Sequence, residues 1–375
     1  MRVVVLCHSL RSDWNHGNAH FLRGICRDLL RRGHEVVVLE PANGWSALNL
    51  TREAGMAGLD AYRAAYPELE SSVYDPSRFD ADAALDGADL VIVHEWTDPA
   101  IVHAVGRYRR RACCVLLFHD THHRSVSSPD EIDRLDLSDY DGVLAFGAAV
   151  ADQYVARRLA ANVWVWHEAA DVSVFAPREG VAREADVVWI GNWGDDERTA
   201  ELHEFLLEPV RALGLGGSVH GVRYPAGARE SVARAGLAYH GWLPNHAVPE
   251  VFARHRVTVH IPRRPYADAL PGIPTIRVFE ALACGIPLVC APWTDSEGLF
   301  TPGADYLVAR DGADMRAHLR SLTSDAALAD AIARHGRHTV LTRHTCRHRV
   351  DELLAIVSSL AGAAAATPHR EVEVF

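Results

Sequence analysis

Apolar residues in the first 170 positions come in short unbroken runs, each followed by a stretch whose apolar positions recur every three or four residues. VVVLCH (3–8), EVVVLE (35–40), ADLVIVHE (88–95), CCVLLFHD (113–120) and DGVLAFG (141–147) have the length and branched content of strands buried on both faces. AHFLRGICRDLLRRG (19–33) sets Phe21/Leu22, Ile25/Cys26 and Leu29/Leu30 on one helical face and stops at Gly33. A second helix fits near 98–111, residues 43–80 read as irregular and partly helical, and NVWVWHEAAD (162–171) closes the series. VSVFAPREGVARE (172–184) carries the proline and charge of a domain joint. The pattern then restarts, with strands expected at 186–192, 218–222, 258–262, 287–292 and 305–309. Helices fit between them at 197–213, 247–255, 275–284, 312–322 and 325–335. The expectation is an α/β chain of two doubly wound parallel-sheet domains, 1–171 and 185–346, joined by the linker 172–184. They face each other across a cleft at the carboxyl ends of their strands. A last helix near 347–361 packs back on the first domain, and 362–375 form a flexible tail.

Composition narrows the chemistry. With 375 residues, 49% apolar and 23% charged, the chain suits two soluble cores. No apolar run reaches the ~18 residues of a membrane span, and the N-terminus reads as a buried strand, so a cytoplasmic protein is expected. The net charge of −11 argues against a nucleic-acid partner. Seven cysteines, mostly inside apolar runs and without zinc spacing, read as small buried hydrophobes. Lysine is absent, which excludes Schiff-base and Walker A chemistry and leaves phosphate binding to arginine, backbone amides and helix ends.

The segment 264–300 carries the densest signal. Arg277-Val-Phe-Glu280 lies on a helix, and Gly285-Ile-Pro287 then turns into a strand. This resembles the donor-binding signature of retaining family 4 glycosyltransferases, enzymes of the GT-B fold. The resemblance implies that Glu280 binds the ribose hydroxyls of a nucleotide, a task suited to a carboxylate that accepts two hydrogen bonds from a diol. The family's usual second glutamate, eight residues earlier, is replaced by Gly272, which makes the chain most similar to the divergent CgeB-like group. The backbone of Gly272–Thr275, the turn that contains Pro274, would then aim amides at the pyrophosphate, with Arg277 beside it. The residues alone also fit a surface carboxylate on an amphipathic helix.

Three further segments extend the resemblance. WIGNWGDDERTAEL (189–202) looks like the family's phosphate segment, with Asn192 as an amide donor and Arg198 as a fork for the diphosphate. Its other reading is a solvated charge cluster around Asp195, Asp196 and Glu197. Asn15, His16 and Gly17 occupy the first loop, which in the family lies under the phosphates and acceptor, and Arg31-Arg32-Gly33-His34 matches the end of the following helix. His119 stands where the family carries a histidine near the donor sugar and is the expected catalytic group. A metal set of His119, Asp120, His122 and His123 is the competing reading of that loop.

Trp242 is placed either beside the nucleobase or in packing, and Arg107–Arg111 either at an anionic membrane or as a solvated helix end. The resulting expectation is a metal-independent, retaining hexosyltransferase with a nucleoside-diphosphate sugar as donor and no cofactor. A silent nucleotide-binding protein and a nucleotide-sugar epimerase of the same fold are the alternatives.

Overall fold

The structure is a computed structural model and describes residues 1–194 and 196–366. Its first half holds a seven-stranded sheet: β1 (Arg2–Leu6), β2 (Glu35–Pro41), β3 (Ser72–Tyr74), β4 (Leu90–His94), β5 (Val115–Asp120), β6 (Gly142–Ala145) and β7 (Val163–Val165). The spatial order is β3-β2-β1-β4-β5-β6-β7, and every pairing is parallel. The second half holds β8 (Ala185–Ile190), β9 (Gly217–His220), β10 (Leu237–Tyr239), β11 (His255–His260), β12 (Leu288–Cys290) and β13 (Leu307–Val308), in the order β10-β9-β8-β11-β12-β13, again all parallel. In each sheet the order reverses beside the first strand, and that is where an open α/β sheet forms its ligand crevice.

Buried runs such as Val3–Leu6 and Leu90–Val93 form central strands because helices cover both sheet faces. One apolar cluster backs the first sheet and a second backs the other sheet. A third runs from Val3, Phe21 and Ile92 through Trp166 and Phe175 to Val278, Phe279 and Leu282, so the two halves share a continuous core beside the cleft. The chain crosses at Ala170 and returns at Thr345, where the two residues form a parallel bridge. Helix Cys346–Ala366 then packs on helix Ala19–Arg31. The approach is close enough that a Cβ at Gly24 would collide with Cys346.

Several elements differ from the expectation. Residues 45–65 form one long helix, Trp45–Ala65, broken only at Gly55, where φ is +61°. The expected 197–213 helix contains a π turn at His203–Leu207. Strand β10 and helix Ala226–Arg234 have no forerunner in the pattern, because three-residue edge strands show no periodicity. The expected tail is helical through Ala366, in keeping with the high helix propensity of its alanines. Residues 367–375 of that tail, and Asp195 in the phosphate segment, lie outside the described residues.

Candidate active site

Glu280 sits on helix Ile276–Cys284, whose remaining face is buried by Val278, Phe279, Leu282 and Ala283. Its carboxylate is fully buried and points at the first half. His20 Nδ1 donates to Glu280 Oε1 at 2.8 Å. The Asp171 N–H donates to His20 Nε2, also at 2.8 Å, which fixes the tautomer with the ring proton on Nδ1. Phe175 stacks on the imidazole at 3.8 Å. The other oxygen, Oε2, pairs with Arg277. Both oxygens of the expected ribose-binding group are thus engaged by the protein.

The turn before this helix explains Gly272. Its φ is +86°, a conformation that side-chain-bearing residues seldom adopt. A Cβ there would stand 2.6 Å from Ser296 Oγ and 2.9 Å from Glu297 Oε1. The carboxylate of Glu297 fills that space instead, accepting the Ala148 N–H at 2.9 Å and lying 3.0 Å from His167 Nε2. The Gly272 N–H, expected to face a pyrophosphate, donates to the Thr294 carbonyl. Pro274 is buried, and the Thr275 hydroxyl lies 3.0 Å from His260 Nε2. At the start of the helix, Glu168 from the first half faces the Ile276 N–H and accepts from Asn18 Nδ2 at 2.7 Å. Burial raises its pKa to about 8, and Glu280 adds to the shift.

Arg198 is buried rather than part of a solvated cluster. Its Nη1 and Nη2 donate to the carbonyls of Ile261 and Asn192, at 3.0 and 2.6 Å, while Nε has no partner. Burial, and then the neighbouring Arg263, lower its pKa to about 10. Arg263 in turn pairs with Glu197 at 3.2 Å. Asn192 Nδ2 donates to Asn15 across the cleft, and its Oδ1 accepts the Val222 N–H at 2.9 Å.

On the facing half, Gly17 lies against Ile276, and His16 is buried with Nε2 unpartnered. Asp13 accepts from Arg23 Nη1 at 2.8 Å, from Trp242 Nε1 at 3.0 Å and from the Asn245 N–H at 3.1 Å. Trp242 therefore packs with Trp14, Leu50 and Val222 as part of the seam between the halves. His119 is fully buried with neither ring nitrogen bonded, 4.8 Å edge-on from Trp166 and 5.3 Å from His94. Burial alone lowers its pKa to about 3, so the ring is neutral.

His122 and His123 feel the charge of Arg263 from the opposite half, and His123 meets Tyr266 edge-on at 5.0 Å. Asp120 is engaged by Tyr154 and by the His122 N–H, and His123 Nδ1 lies 2.8 Å from Ser127 Oγ. Among the described residues, no three histidine, cysteine, aspartate or glutamate side chains gather as ligands for one metal ion.

The fold thus joins Asn15 to Asn192, Gly17 to the 276–284 helix, and Arg277 to Glu280, with Arg198 beside Arg263. His119 lies beneath this seam and Trp242 on its flank. Sequence reasoning missed His20, Asp13, Glu168, Glu297 and the buried Glu95. Each acts through a partner distant in the chain, and no local motif marks any of them.

Residues 198–355 match the family model described as glycosyl transferase-like, and residues 17–174 match glycosyltransferase family 4. The chain is a GT-B glycosyltransferase. No curated protein sequence matches it. Among solved structures, sucrose-phosphate synthase from Thermosynechococcus elongatus superposes with a TM-score of 0.65 at 13% identity, covering 97% of this chain and 100% of that one. HepE from Anabaena, in complex with UDP and glucose, gives 0.66 at 14% identity, covering 96% and 100%. An α-glucosyltransferase in complex with UDP and DNA gives 0.65 at 12% identity, covering 96% and 99%.

In the glycosyltransferase, the run Arg109–Arg111 pairs with Asp141, Asp139 and Asp82 at 2.6–3.0 Å, which accounts for its charge without a membrane. Among the described residues no helix is long and apolar enough to cross a membrane.

Proposed function

We propose that this glycosyltransferase moves a hexosyl group from a nucleoside-diphosphate sugar, held mainly by residues 185–346, to an acceptor held by residues 1–171. Configuration is retained, and no metal or further cofactor takes part. The observation that carries the reading is Arg198, buried beside Arg263, with Nε unsatisfied and no ion-pair partner among the described residues. A buried guanidinium with no carboxylate in contact calls for an anion, and a diphosphate supplies one with fork-matching oxygens. The UDP held by HepE and by the α-glucosyltransferase supports a uridine diphosphate donor here.

Both Asp-x-Asp pairs of the N-terminal half, Asp80/Asp82 and Asp139/Asp141, fit this metal-free reading. Asp80 caps a helix and the other three pair with arginine. The Arg277–Glu280 pattern with Gly272 supports a place near the CgeB-like group. The net charge of −11 favours an acceptor other than nucleic acid, and the composition favours a cytoplasmic enzyme.

The test is a thermal-shift panel with UDP, GDP, ADP, CMP and dTDP, followed by turnover of the matching nucleotide sugars. A nucleotide at 100 times its dissociation constant adds about 2.7 kcal/mol of stability. No shift with any of the five sinks the donor reading. Binding without hydrolysis or transfer makes the chain a silent binding protein, and an epimeric product makes it an epimerase.

A further inference from the structure

We propose that a pocket at the carboxyl ends of β4 and β5 binds a saccharide carrying an acidic group, with the sugar ring on Trp96 and the acid at Arg134. Identifying that saccharide with the acceptor rests on the transferase reading above; the binding site itself does not.

The cavity measures about 250 Å3 and lies between the 95–99 loop and the segment 124–135. This is below the roughly 300–1,000 Å3 of drug-sized sites and suits one sugar ring. It adjoins the reversal point of the first sheet, since Trp96 lies 6.4 Å from His8, which follows β1, and 5.0 Å edge-on from His122. Trp96 is held by the Arg124 guanidinium, 4.2 Å from its ring, yet remains 43% exposed. An indole fixed on one side and open on the other is a platform for an apolar sugar face.

The charges around the pocket decide the ligand's sign. Glu95 forms its floor and touches Asp120. Burial, together with that neighbouring carboxylate, holds the Glu95 carboxyl well above the usual range. Asp98 accepts the Ala100 N–H at 2.8 Å as a helix cap. Glu131 meets Arg124 Nη1 at 3.4 Å, and Arg124 Nη2 donates to the Glu95 carbonyl. Arg124 Nε and the Thr97 hydroxyl are buried without partners. Arg134 lines the cavity, is exposed, and has no ion-pair partner among the described residues. The pocket therefore offers one guanidinium without an ion-pair partner beside an aromatic face, with one unsatisfied N–H and one unsatisfied hydroxyl buried in its wall. A neutral sugar would leave Arg134 unanswered, whereas a carboxylate or phosphate on the ring takes it.

The experiment is saturation-transfer NMR on the full chain with D-glucuronate, glucose 6-phosphate and D-glucose as probes. At least one acidic sugar should show strong transfer and glucose little, and the stronger of the two identifies the acid. Arg134→Gln should weaken the acidic sugar about 10-fold or more while leaving glucose unaltered. Trp96→Ala should abolish transfer to the ring protons. Equal transfer from all three probes, or an acidic sugar indifferent to Arg134→Gln, overturns the proposal. Parallel melting with UDP separates the two readings. A UDP shift with no sugar transfer sinks the pocket alone, and sugar transfer with no nucleotide shift sinks the donor reading alone.

Discussion

His20 and Glu280 meet at 2.8 Å across the cleft, 260 residues apart in sequence, with the imidazole donating from Nδ1 to a carboxylate that has no exposure to water. The same carboxylate is the group expected to take a ribose diol, so nucleotide and His20 compete for it. Glu280→Gln removes a charged acceptor and should weaken nucleotide binding by roughly 1.5–3 kcal/mol, about 10- to 150-fold. His20→Ala frees Oε1 and should leave nucleotide affinity equal or higher while lowering stability by about 1–3 kcal/mol. Calorimetric titration of both variants decides it. Unchanged affinity in folded Glu280→Gln removes Glu280 from the site.

Glu168 gives the pH dependence. Its ordinary value is 4.5, and burial with the Glu280 charge nearby raises it to about 8. Between those values the folded chain keeps a proton that the unfolded chain has released, so stability falls as pH rises from about 5 to about 8. The slope from this one group is at most about 1.4 kcal/mol per pH unit. Glu168→Gln should flatten that limb and melt higher than the parent at pH 8.5. Parallel melting curves for parent and variant from pH 5.5 to 8.5 would show the assignment to be wrong.

His119 and Arg198 should fail differently. His119 belongs to β5 of the first half, and Arg198 stands by the carboxyl end of β8 next to Arg263. His119→Ala should bind free nucleoside diphosphate nearly normally and lose most turnover. Arg198→Ala should weaken diphosphate binding and slow the reaction together. Arg198 also holds two carbonyls, so Arg198→Gln, which keeps donors for them, is the control for folding. The reverse pattern in diphosphate affinity and kcat exchanges the roles.

The strands of both sheets, except the three-residue edge strands β3 and β10, were legible because buried parallel strands are unbroken apolar runs. The Arg277–Glu280 and Gly285–Pro287 pattern was legible because one helix and its exit turn carry it. What the sequence did not disclose is long-range. No pattern near residue 20 or residue 168 says that these side chains face residues 280 and 276. The alternative reading of Arg198, a solvated charge among acidic neighbours, fails because tertiary packing buries it against Trp189.

Activity should survive chelation. Asp80, Asp82, Asp139 and Asp141 are engaged in a cap or in arginine pairs. Turnover in EDTA should match turnover in Mn2+. Loss in EDTA with recovery in Mn2+ would return His119, His122 and His123 to consideration as ligands.

Gly272 supplies the sharpest structural test, because the residue that the family pattern favours there is the one this fold rejects. A glutamate at 272 would have to adopt φ near +86°, which costs about 1–2 kcal/mol for a side-chain-bearing residue. Its Cβ would also press on Ser296 Oγ at 2.6 Å and on the Glu297 carboxylate at 2.9 Å, adding overpacking and like-charge repulsion. Gly272→Glu should therefore lower stability by more than about 2 kcal/mol and gain no activity. Gly272→Ala should carry the strain and the steric clash without the charge, and lose less. Glu297→Ala in the Gly272→Glu background opens the occupied space and should recover part of the loss, with a coupling of about 0.5–3 kcal/mol in a double-mutant cycle. Denaturant titration of the four variants, including Glu297→Ala alone, measures every corner. Additive losses would mean that Glu297 does not fill the space beyond residue 272, and the account of why glycine stands there would fall with it.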